Sequence, residues 1–341
     1  MKVLDLFSGI GGFSLGLEQA GFTTVKFCEI EEHCRKVLTK NFGKPIHHDI
    51  TTLHAREGEF DVMCGGFPCQ DISIAGKGAG LSGAKSGLWF EYKRLINEGR
   101  PRYAIIENVS ALLGRGLEII LQDLAEIGYD ATYTMYDSKY FGVPQRRRRV
   151  YIVAVRDGIA SDFDFFKLGQ RDSRERSDEL ESFDESFGWD FSKERGDRHT
   201  FTYLTRQRSN EFKEVGLSGT LAKRDYKSYT DLVIKCGIPR RVTPEERLKL
   251  QGFPYYWFEG CHLTNQQKFT CNGMTVPVVK HIGDLIKEHA ASVDSDFFAG
   301  GHYRKIDDSD RGSSFFANGE WHQSAFSVNW LKKEKDYRIG K

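Results

Sequence analysis

The sequence VLDLFSGIGG (residues 3–12) places a short apolar run directly before a turn of small residues. The apolar run predicts a β-strand over residues 3–7, and the spacing of apolar residues after the turn predicts a helix over residues 13–20. In open α/β sheets, a turn of this kind at the carboxyl end of a strand is where ligands bind. The stretch therefore predicts both an α/β fold and the position of a ligand site.

A carboxylate that suits a nucleoside follows at the expected distance. Twenty residues beyond Gly9, Glu29 ends the second predicted strand, where it could accept hydrogen bonds from ribose hydroxyls. A nicotinamide dehydrogenase would share this arrangement, but Ser14 stands where the third glycine of the GxGxxG fingerprint belongs. The alternative to any nucleoside site is a tight strand-to-helix connection. Asp49 could reach an adenine amino group, its alternative role being that of a turn former or helix cap.

The alternation of strands and helices continues through residue 155. Short apolar runs separated by segments of helical spacing are typical of βα units around a mainly parallel sheet. Further strands are predicted at residues 25–30, 60–66, 103–109, 131–137 and 150–155, and further helices at residues 31–42, 116–127 and 276–289.

Composition restricts the class of protein. The 341 residues carry a net charge of +1, so any DNA-binding face must come from local clusters such as Arg146 to Arg149. The seven cysteines include no CxxC pair, which argues against structural zinc and a disulfide framework. There is neither a membrane-spanning apolar run nor a signal peptide at the start of the sequence, which predicts a cytoplasmic protein without a membrane partner.

A second group of residues has the chemistry of a reaction centre. Cys69, in GGFPCQ (residues 65–70), follows a predicted strand and precedes a stretch rich in Gly, Ser and Ala that should be mobile. Glu107 lies near the end of the next strand, while Arg147 and Arg149 alternate before another. A buried inert thiol and a solvated basic patch are the alternatives.

Together these residues resemble the DNA (cytosine-5)-methyltransferase family, in the family's order. The resemblance implies a Rossmann-like S-adenosylmethionine-dependent methyltransferase sheet with a smaller inserted target-recognition domain, no metal, and double-stranded DNA as partner. The motifs that carry it are FSGIGG (7–12), Glu29, Asp49, GGFPCQ (65–70), ENV (107–109), QRRRR (145–149), RRVTPEERLKLQGFP (240–254) and CNGMTVPVV (271–279).

The resemblance also implies a role for each matching residue. Cys69 would be the nucleophile that attacks C6 of a flipped-out cytosine, Glu107 the acid at N3, and Arg149 the contact to O2, supported by Arg147. The donor would be bound by Phe7, Gly9, Gly11, Gly12, Glu29, Ile30, Asp49, Ile50, Pro68 and Asn272, and DNA by Gln70, Ser73, Thr220, Leu221 and Arg224.

The same resemblance divides the chain into four parts. Residues 1–155 would form the catalytic domain, 156–239 the target-recognition domain, 240–290 a segment completing the catalytic domain, and 291–341 an extension of undetermined role. The protein is expected to act as a monomer, with a restriction endonuclease acting separately as a candidate partner.

Two alternative functions stay open at this point, and the sequence departs from the family's motifs at two places. An RNA cytosine methyltransferase would share every catalytic residue, although the separate lobe favours DNA. A catalytically inactive relative would have lost the thiol or the acid, and both are present. Cys271 replaces the usual glycine of the last motif, which we expect to be tolerated, and the stretch after Gly80 lacks the family's frequent acidic and Arg residues.

Overall fold

The fold is known from a computed structural model with two compact units, Met1–Ala290 and Ala291–Lys341. The residues it describes are 1–68, 87–159, 200–204, 212–215, 217–221, 231–235, 238–260, 266, 269–271, 273–298, 314–317 and 320–323.

A seven-stranded sheet organises the first unit, and its order is β3-β2-β1-β4-β5-β7-β6. The pairs among the first five strands in this order are parallel, while β7 runs antiparallel to both of its neighbours. The predicted α/β class is therefore confirmed. The strands are β1 (Lys2–Leu6), β2 (Thr23–Cys28), β3 (Ile46–His47), β4 (Val62–Gly65), β5 (Tyr103–Val109), β6 (Tyr129–Asp137) and β7 (Arg148–Arg156).

Helices cover both faces of this sheet. Leu4 and Leu6 of β1 pack into one core with Trp89, whereas Val3 of the same strand packs into a second core with Phe13. Burial on both faces explains why the strands read as nearly continuous apolar runs. The helices are α1 (Gly12–Gln19), α2 (Glu32–Phe42), α3 (Leu88–Gly99), α4 (Leu117–Glu126), α5 (Pro244–Lys249) and α6 (Val276–Phe298).

Helix α5 begins with a capping box, formed by the first and last residues of the sequence TPEE (243–246). The Thr243 hydroxyl accepts a hydrogen bond from the Glu246 backbone N–H (3.2 Å), and the Glu246 carboxylate accepts one from the Thr243 N–H (2.9 Å). Two backbone donors at the helix start are thereby satisfied.

Smaller sheets lie in the later parts of the chain. Four antiparallel strands form a sheet of order β11-β10-β8-β9 in the first unit, and the second unit contains a two-stranded hairpin. These strands are β8 (Thr200–Leu204), β9 (Phe212–Val215), β10 (Asp231–Lys235), β11 (Ile238–Arg241), β12 (Ser314–Ala317) and β13 (Glu320–Gln323).

Within the part of the chain that the structure describes, no helix is long and apolar enough to cross a membrane. The same residues include no group of three or more His, Cys, Asp or Glu side chains that could hold a metal ion.

The sheet order fixes where a ligand site belongs. Connections from β1 lead outward on one side to β2, whereas β4 lies on its other side. In doubly wound sheets, ligands usually bind outside the carboxyl ends of the strands at such a reversal, which here lies between β1 and β4.

Candidate active site

The glycine turn after β1 has a left-handed backbone at three positions. Phe7, Gly9 and Gly11 have φ values of 52°, 55° and 87°. The two glycines adopt this conformation without a steric penalty, whereas for Phe7 it costs on the order of 1–3 kcal/mol. The Ser8 hydroxyl donates a hydrogen bond to the Asp5 carbonyl oxygen (2.7 Å), which helps to hold the turn against β1.

Glu29 fastens the same turn to the end of β2. One carboxylate oxygen accepts a hydrogen bond from the Gly9 N–H and the other from the Glu31 N–H, each at 2.7 Å. Burial raises the pKa of Glu29 above its ordinary value. A carboxylate can accept about four hydrogen bonds, so these two leave capacity for ligand hydroxyls. Trp257 braces the turn from a second side, donating through Nε1 to the Ile10 carbonyl oxygen (2.8 Å).

The two isoleucines predicted at the donor site have different surroundings. Ile30 is 71% exposed, while Ile50 is 5% exposed and lies in the core with Leu53. Arg35 of α2 donates hydrogen bonds to the carbonyl oxygens of Glu29 and Ile30, which fixes the loop. Ile30 therefore offers an apolar surface to a ligand beside the Glu29 carboxylate.

Asp49 caps a short 3-10 turn over Ile50–Thr52. Its Oδ1 accepts hydrogen bonds from the Thr51 N–H (2.9 Å) and the Thr51 hydroxyl (2.8 Å), and these bonds lower the pKa of Asp49. The capping role weighed as an alternative is thus present. Because both bonds use Oδ1, the cap leaves Oδ2 for a ligand.

The chain after β4 approaches β5 very closely. A Cβ added to Gly66 would lie 2.7 Å from Glu107 Oε2, so any larger residue at this position would displace the carboxylate from where it lies. The Asn108 amide donates to the Phe67 carbonyl oxygen (3.2 Å) and holds the chain that leads to Pro68. The predicted nucleophile Cys69 and the predicted DNA contacts Gln70 and Ser73 follow directly, in residues 69–86, which lie outside the described part.

Glu107 and Arg149 form a nearly buried ion pair. Arg149 Nε lies 3.1 Å from Glu107 Oε1, and the two side chains are 14% and 10% exposed. The antiparallel pairing of β5 with β7, which places Val109 opposite Arg149, brings them together. An acid and a guanidinium group thus meet at the carboxyl end of β5, beside Gly66.

Arg147 has different neighbours, although alternation along the strand predicted a shared site. Its guanidinium donates to the carbonyl oxygens of Cys271 (3.3 Å) and Gly273 (2.9 Å). Burial lowers the pKa of Arg147 to about 10, so it remains a cation at neutral pH. These bonds fix the backbone on either side of Asn272, which itself lies outside the described residues.

The predicted DNA contacts that the structure describes are partly engaged by the protein itself. The Thr220 hydroxyl donates to the Arg146 carbonyl oxygen (2.8 Å). Leu221 is only 3% exposed and packs in a core with Cys271, so its side chain has no free surface for DNA. The Leu221 side chain therefore packs inside the protein and is not the DNA contact that the resemblance implied, and Cys271, which replaces the usual glycine, is part of the same core. Arg224 lies outside the described residues.

Two residues of the site were missed by the sequence reasoning. Asn108 supports the chain before Cys69. Its position directly after Glu107 in the ENV motif (107–109) could have identified it. Met274 lies between the two halves of the site: a Cβ added to Gly12 would come within 2.7 Å of Met274 Cβ, and one added to Gly66 within 3.6 Å of its Cε. Nothing in the sequence pattern pointed to Met274.

Proteins with similar sequences carry the name Type II methyltransferase. The chain is 32% identical to the Type II methyltransferase M1.ScrFI of Lactococcus lactis subsp. cremoris, over 84% of this chain and 78% of that protein. It is 31% identical to the Type II methyltransferase M.HaeII of Haemophilus aegyptius, over 84% and 92% of the two chains.

Among solved structures, the Entamoeba histolytica methyltransferase EhMeth aligns with a TM-score of 0.61 at 15% identity, over 85% of this chain and 98% of its own. The S. pombe Dnmt2 methyltransferase aligns with a TM-score of 0.58 at 21% identity, over 84% and 98%. The model of the family described as C-5 cytosine-specific DNA methylase matches residues 1–288. The chain therefore belongs to the C-5 cytosine-specific DNA methylases, enzymes that methylate cytosine in DNA.

Proposed function

We propose that this enzyme moves a methyl group from S-adenosylmethionine to C5 of a cytosine flipped out of double-stranded DNA, through a covalent bond between Cys69 and cytosine C6. The observation that carries the proposal is the ion pair of Glu107 and Arg149, 3.1 Å apart. The pair lies against Gly66, three residues before Cys69 in the chain.

The crevice beside β1 suits the nucleoside part of S-adenosylmethionine. The Glu29 carboxylate would accept hydrogen bonds from the ribose hydroxyls, and Asp49 Oδ2 would accept one from the adenine amino group. Ile30 would cover the apolar face of the base. When bound, this cofactor supplies an electrophilic methyl group attached to a sulfonium.

The segment around residue 272 would close the donor site from the opposite side. Arg147 holds the carbonyl groups before and after Asn272, and Gln251 donates to the Thr270 carbonyl oxygen. Buried side chains that bond to backbone carbonyls restrict the conformations of a segment. We propose that Arg147 therefore acts on the donor site by positioning Asn272, without touching the cytosine.

The chemistry of cytosine explains the residues at the other half of the site. C5 is a poor nucleophile, so a thiolate at Cys69 first forms a bond to C6 and pushes electron density onto the ring. Glu107 would hold the proton at N3 while Arg149 donates to O2, two positions on the same edge of the ring. C5 would bond to the methyl carbon as the methyl–sulfur bond of the sulfonium breaks, which leaves the neutral thioether. A base would then remove the C5 proton, and the bond between Cys69 sulfur and C6 would break, which restores the thiolate.

Access to the ring requires that the base leave the stack, because the faces of C5 and C6 are covered in duplex DNA. We propose that Gln70, Ser73, Thr220 and Arg224 contact the DNA, and that the part of the chain from 156 to 239 reads a short specific sequence. Since several relatives carry the name Type II methyltransferase, a restriction endonuclease acting separately on the same sequence is the partner we propose. The enzyme itself would act as a monomer in the cytoplasm.

Bisulfite sequencing of DNA from cells that express the chain tests the proposal. We expect protected cytosines at one recurring sequence with the wild type and none with Cys69→Ser. Purified enzyme offered tRNA and duplex DNA carrying that sequence separates the RNA alternative. Absence of any recurring protected cytosine, or methyl transfer to tRNA alone, would overturn the proposal.

A further inference from the structure

Asp5 is an ionisable side chain inside the sheet, at the fourth of the five positions of β1. Its side chain has no exposed surface. Oδ2 accepts hydrogen bonds from the Ser14 hydroxyl (2.7 Å) and the Ser14 backbone N–H (3.2 Å). Ser14 is the third residue of α1, whose N-cap, Gly11, has no side chain to serve as a cap. Asp5 therefore caps the helix from a neighbouring strand.

This bond changes the charge at the start of α1. In dinucleotide-binding sheets, the helix after the glycine turn presents free N–H groups to an anionic pyrophosphate. Here one of those N–H groups, that of Ser14, donates to the carboxylate of Asp5 instead. Ser14 stands at the position of the third glycine in the GxGxxG fingerprint. When Asp5 is ionised, its negative charge next to the turn repels a phosphate and attracts a cation.

A second carboxylate lies on the other side of the turn. Glu29 binds the Gly9 N–H, so two acidic groups are bonded to the turn and to the helix that follows it. Among the described residues, Arg35 carries a positive charge near Glu29, and its guanidinium donates to the carbonyl oxygens of Glu29 and Ile30.

Packing alone does not account for an ionisable group at position 5. Desolvation raises the pKa of Asp5 to about 7, so ionising this side chain works against folding. A neutral side chain of the same shape could accept the two hydrogen bonds from Ser14 without that penalty.

We propose that Asp5 sets the charge selectivity of the donor site, favouring the cationic sulfonium of S-adenosylmethionine over the neutral thioether of S-adenosylhomocysteine. The inference rests on the proposed use of S-adenosylmethionine. Asp5 acts at a distance and through Ser14, so it is a positioning and electrostatic residue and does not touch the ligand.

The two ligands provide the test, because they differ at the sulfur by one methyl group and one charge. Calorimetric titration of the full chain should show that Asp5→Asn weakens S-adenosylmethionine by on the order of tenfold and S-adenosylhomocysteine by less than about twofold. A purely structural role would weaken both ligands equally, and that result, or unchanged binding of both, would overturn the inference. If the wild type binds neither ligand, the proposed cofactor is wrong.

Ser14→Ala gives a second test that leaves the carboxylate in place. In the wild type, the ratio of the two affinities should rise as Asp5 ionises, between about pH 6 and pH 8. Removing the Ser14 hydroxyl removes a bond that lowers the pKa of Asp5, so the rise should shift to higher pH in the variant. A ratio that does not depend on pH, or an identical profile in both proteins, would contradict the inference.

Other titratable groups near Asp5 must be separated from it in this profile. They are Cys28 at the end of β2, Glu29 directly after it, Cys64 on β4 and Tyr92 on α3. Burial raises the pKa of both cysteines and of the tyrosine above their ordinary values, which takes them out of this range. Glu29→Gln identifies the part that belongs to Glu29, since the shift caused by Ser14→Ala should persist in that background.

Discussion

Gly66→Ala should greatly lower the rate of methyl transfer while changing the folding stability of this enzyme only slightly. The added Cβ would lie 2.7 Å from Glu107 Oε2, whereas real Cβ atoms essentially never approach closer than 3.0 Å and ordinary contact begins near 3.4 Å. The carboxylate must therefore move by about 0.3 to 0.7 Å. Because it is the end of a flexible side chain, it can move without disturbing the backbone.

The consequence for the reaction should be large. Groups that stabilise developing charge must be held to within about 0.5 Å, and a misplacement of about 1 Å can cost about 100-fold in rate. The loss of folding free energy should stay below about 1 kcal/mol, because the main contact can relax. Gly65→Ala should instead reduce folding stability more than it reduces the rate. Its Cβ would lie 2.6 Å from the backbone carbonyl oxygen of Leu6, which cannot move away freely.

Single-turnover methyl transfer to duplex DNA, combined with thermal unfolding, measures both effects. Gly114→Ala is the matched control, because a Cβ there meets nothing within 4 Å and the backbone is not left-handed. We expect wild-type rate and stability for the control. If Gly66→Ala retains methyl transfer to within about threefold of the wild type, the placement of Glu107 at the reacting ring is wrong.

Substitutions of Cys69, Arg147 and Asp5 test the nucleophile, the segment around Asn272 and the buried carboxylate of β1. Cys69→Ser should abolish turnover while calorimetry still detects donor binding; near-normal methylation would mean that another residue is the nucleophile. Arg147→Ala should lower the free energy of unfolding in urea by about 3 kcal/mol and weaken donor binding, because the carbonyl groups around Asn272 lose buried donors; unchanged values for both would contradict the positioning role. Asp5→Asn should be more stable than the wild type at pH 8, since the folded-state pKa of about 7 lies above the ordinary 3.8 and the stability that Asp5 contributes in its protonated form is lost as pH rises between these values. The free energies of unfolding of Asp5→Asn and the wild type should differ by about 4 kcal/mol at most, and the difference should vanish below about pH 4. Equal stability of the two proteins at pH 8 would contradict the desolvation of Asp5.

Much of the fold follows from local pattern. The predicted strand at 103–109 coincides with β5, and those at 131–137 and 150–155 fall within β6 and β7. Helix α3 was missed even though Trp89, Tyr92 and Leu95 have helical spacing, and β3 is too short at two residues to give a pattern. The reversed direction of β7 is a property of the assembled sheet, and no local signal encodes it.

The same distinction applies to the site. Glu29 could be placed from its spacing to the glycine turn, since both follow strands that are neighbours in the sheet. The alternation of side chains along the strand could not show that Arg147 and Arg149 have different partners. Arg147 binds the backbone near residue 272 and Arg149 pairs with Glu107, and both partners are distant in the sequence. Leu221 was taken for a DNA contact from a motif, and only the packed structure shows that it is buried.

A covalent trap tests the central claim most directly. Duplex DNA with 5-fluorocytosine at the methylated position should stop the reaction after methyl transfer, because fluorine at C5 cannot leave as a proton does. With S-adenosylmethionine present, mass spectrometry should find one enzyme joined to one DNA strand, with the bond at Cys69. An adduct at any other residue, or efficient methylation of ordinary DNA by an enzyme that never forms the adduct, would contradict the mechanism.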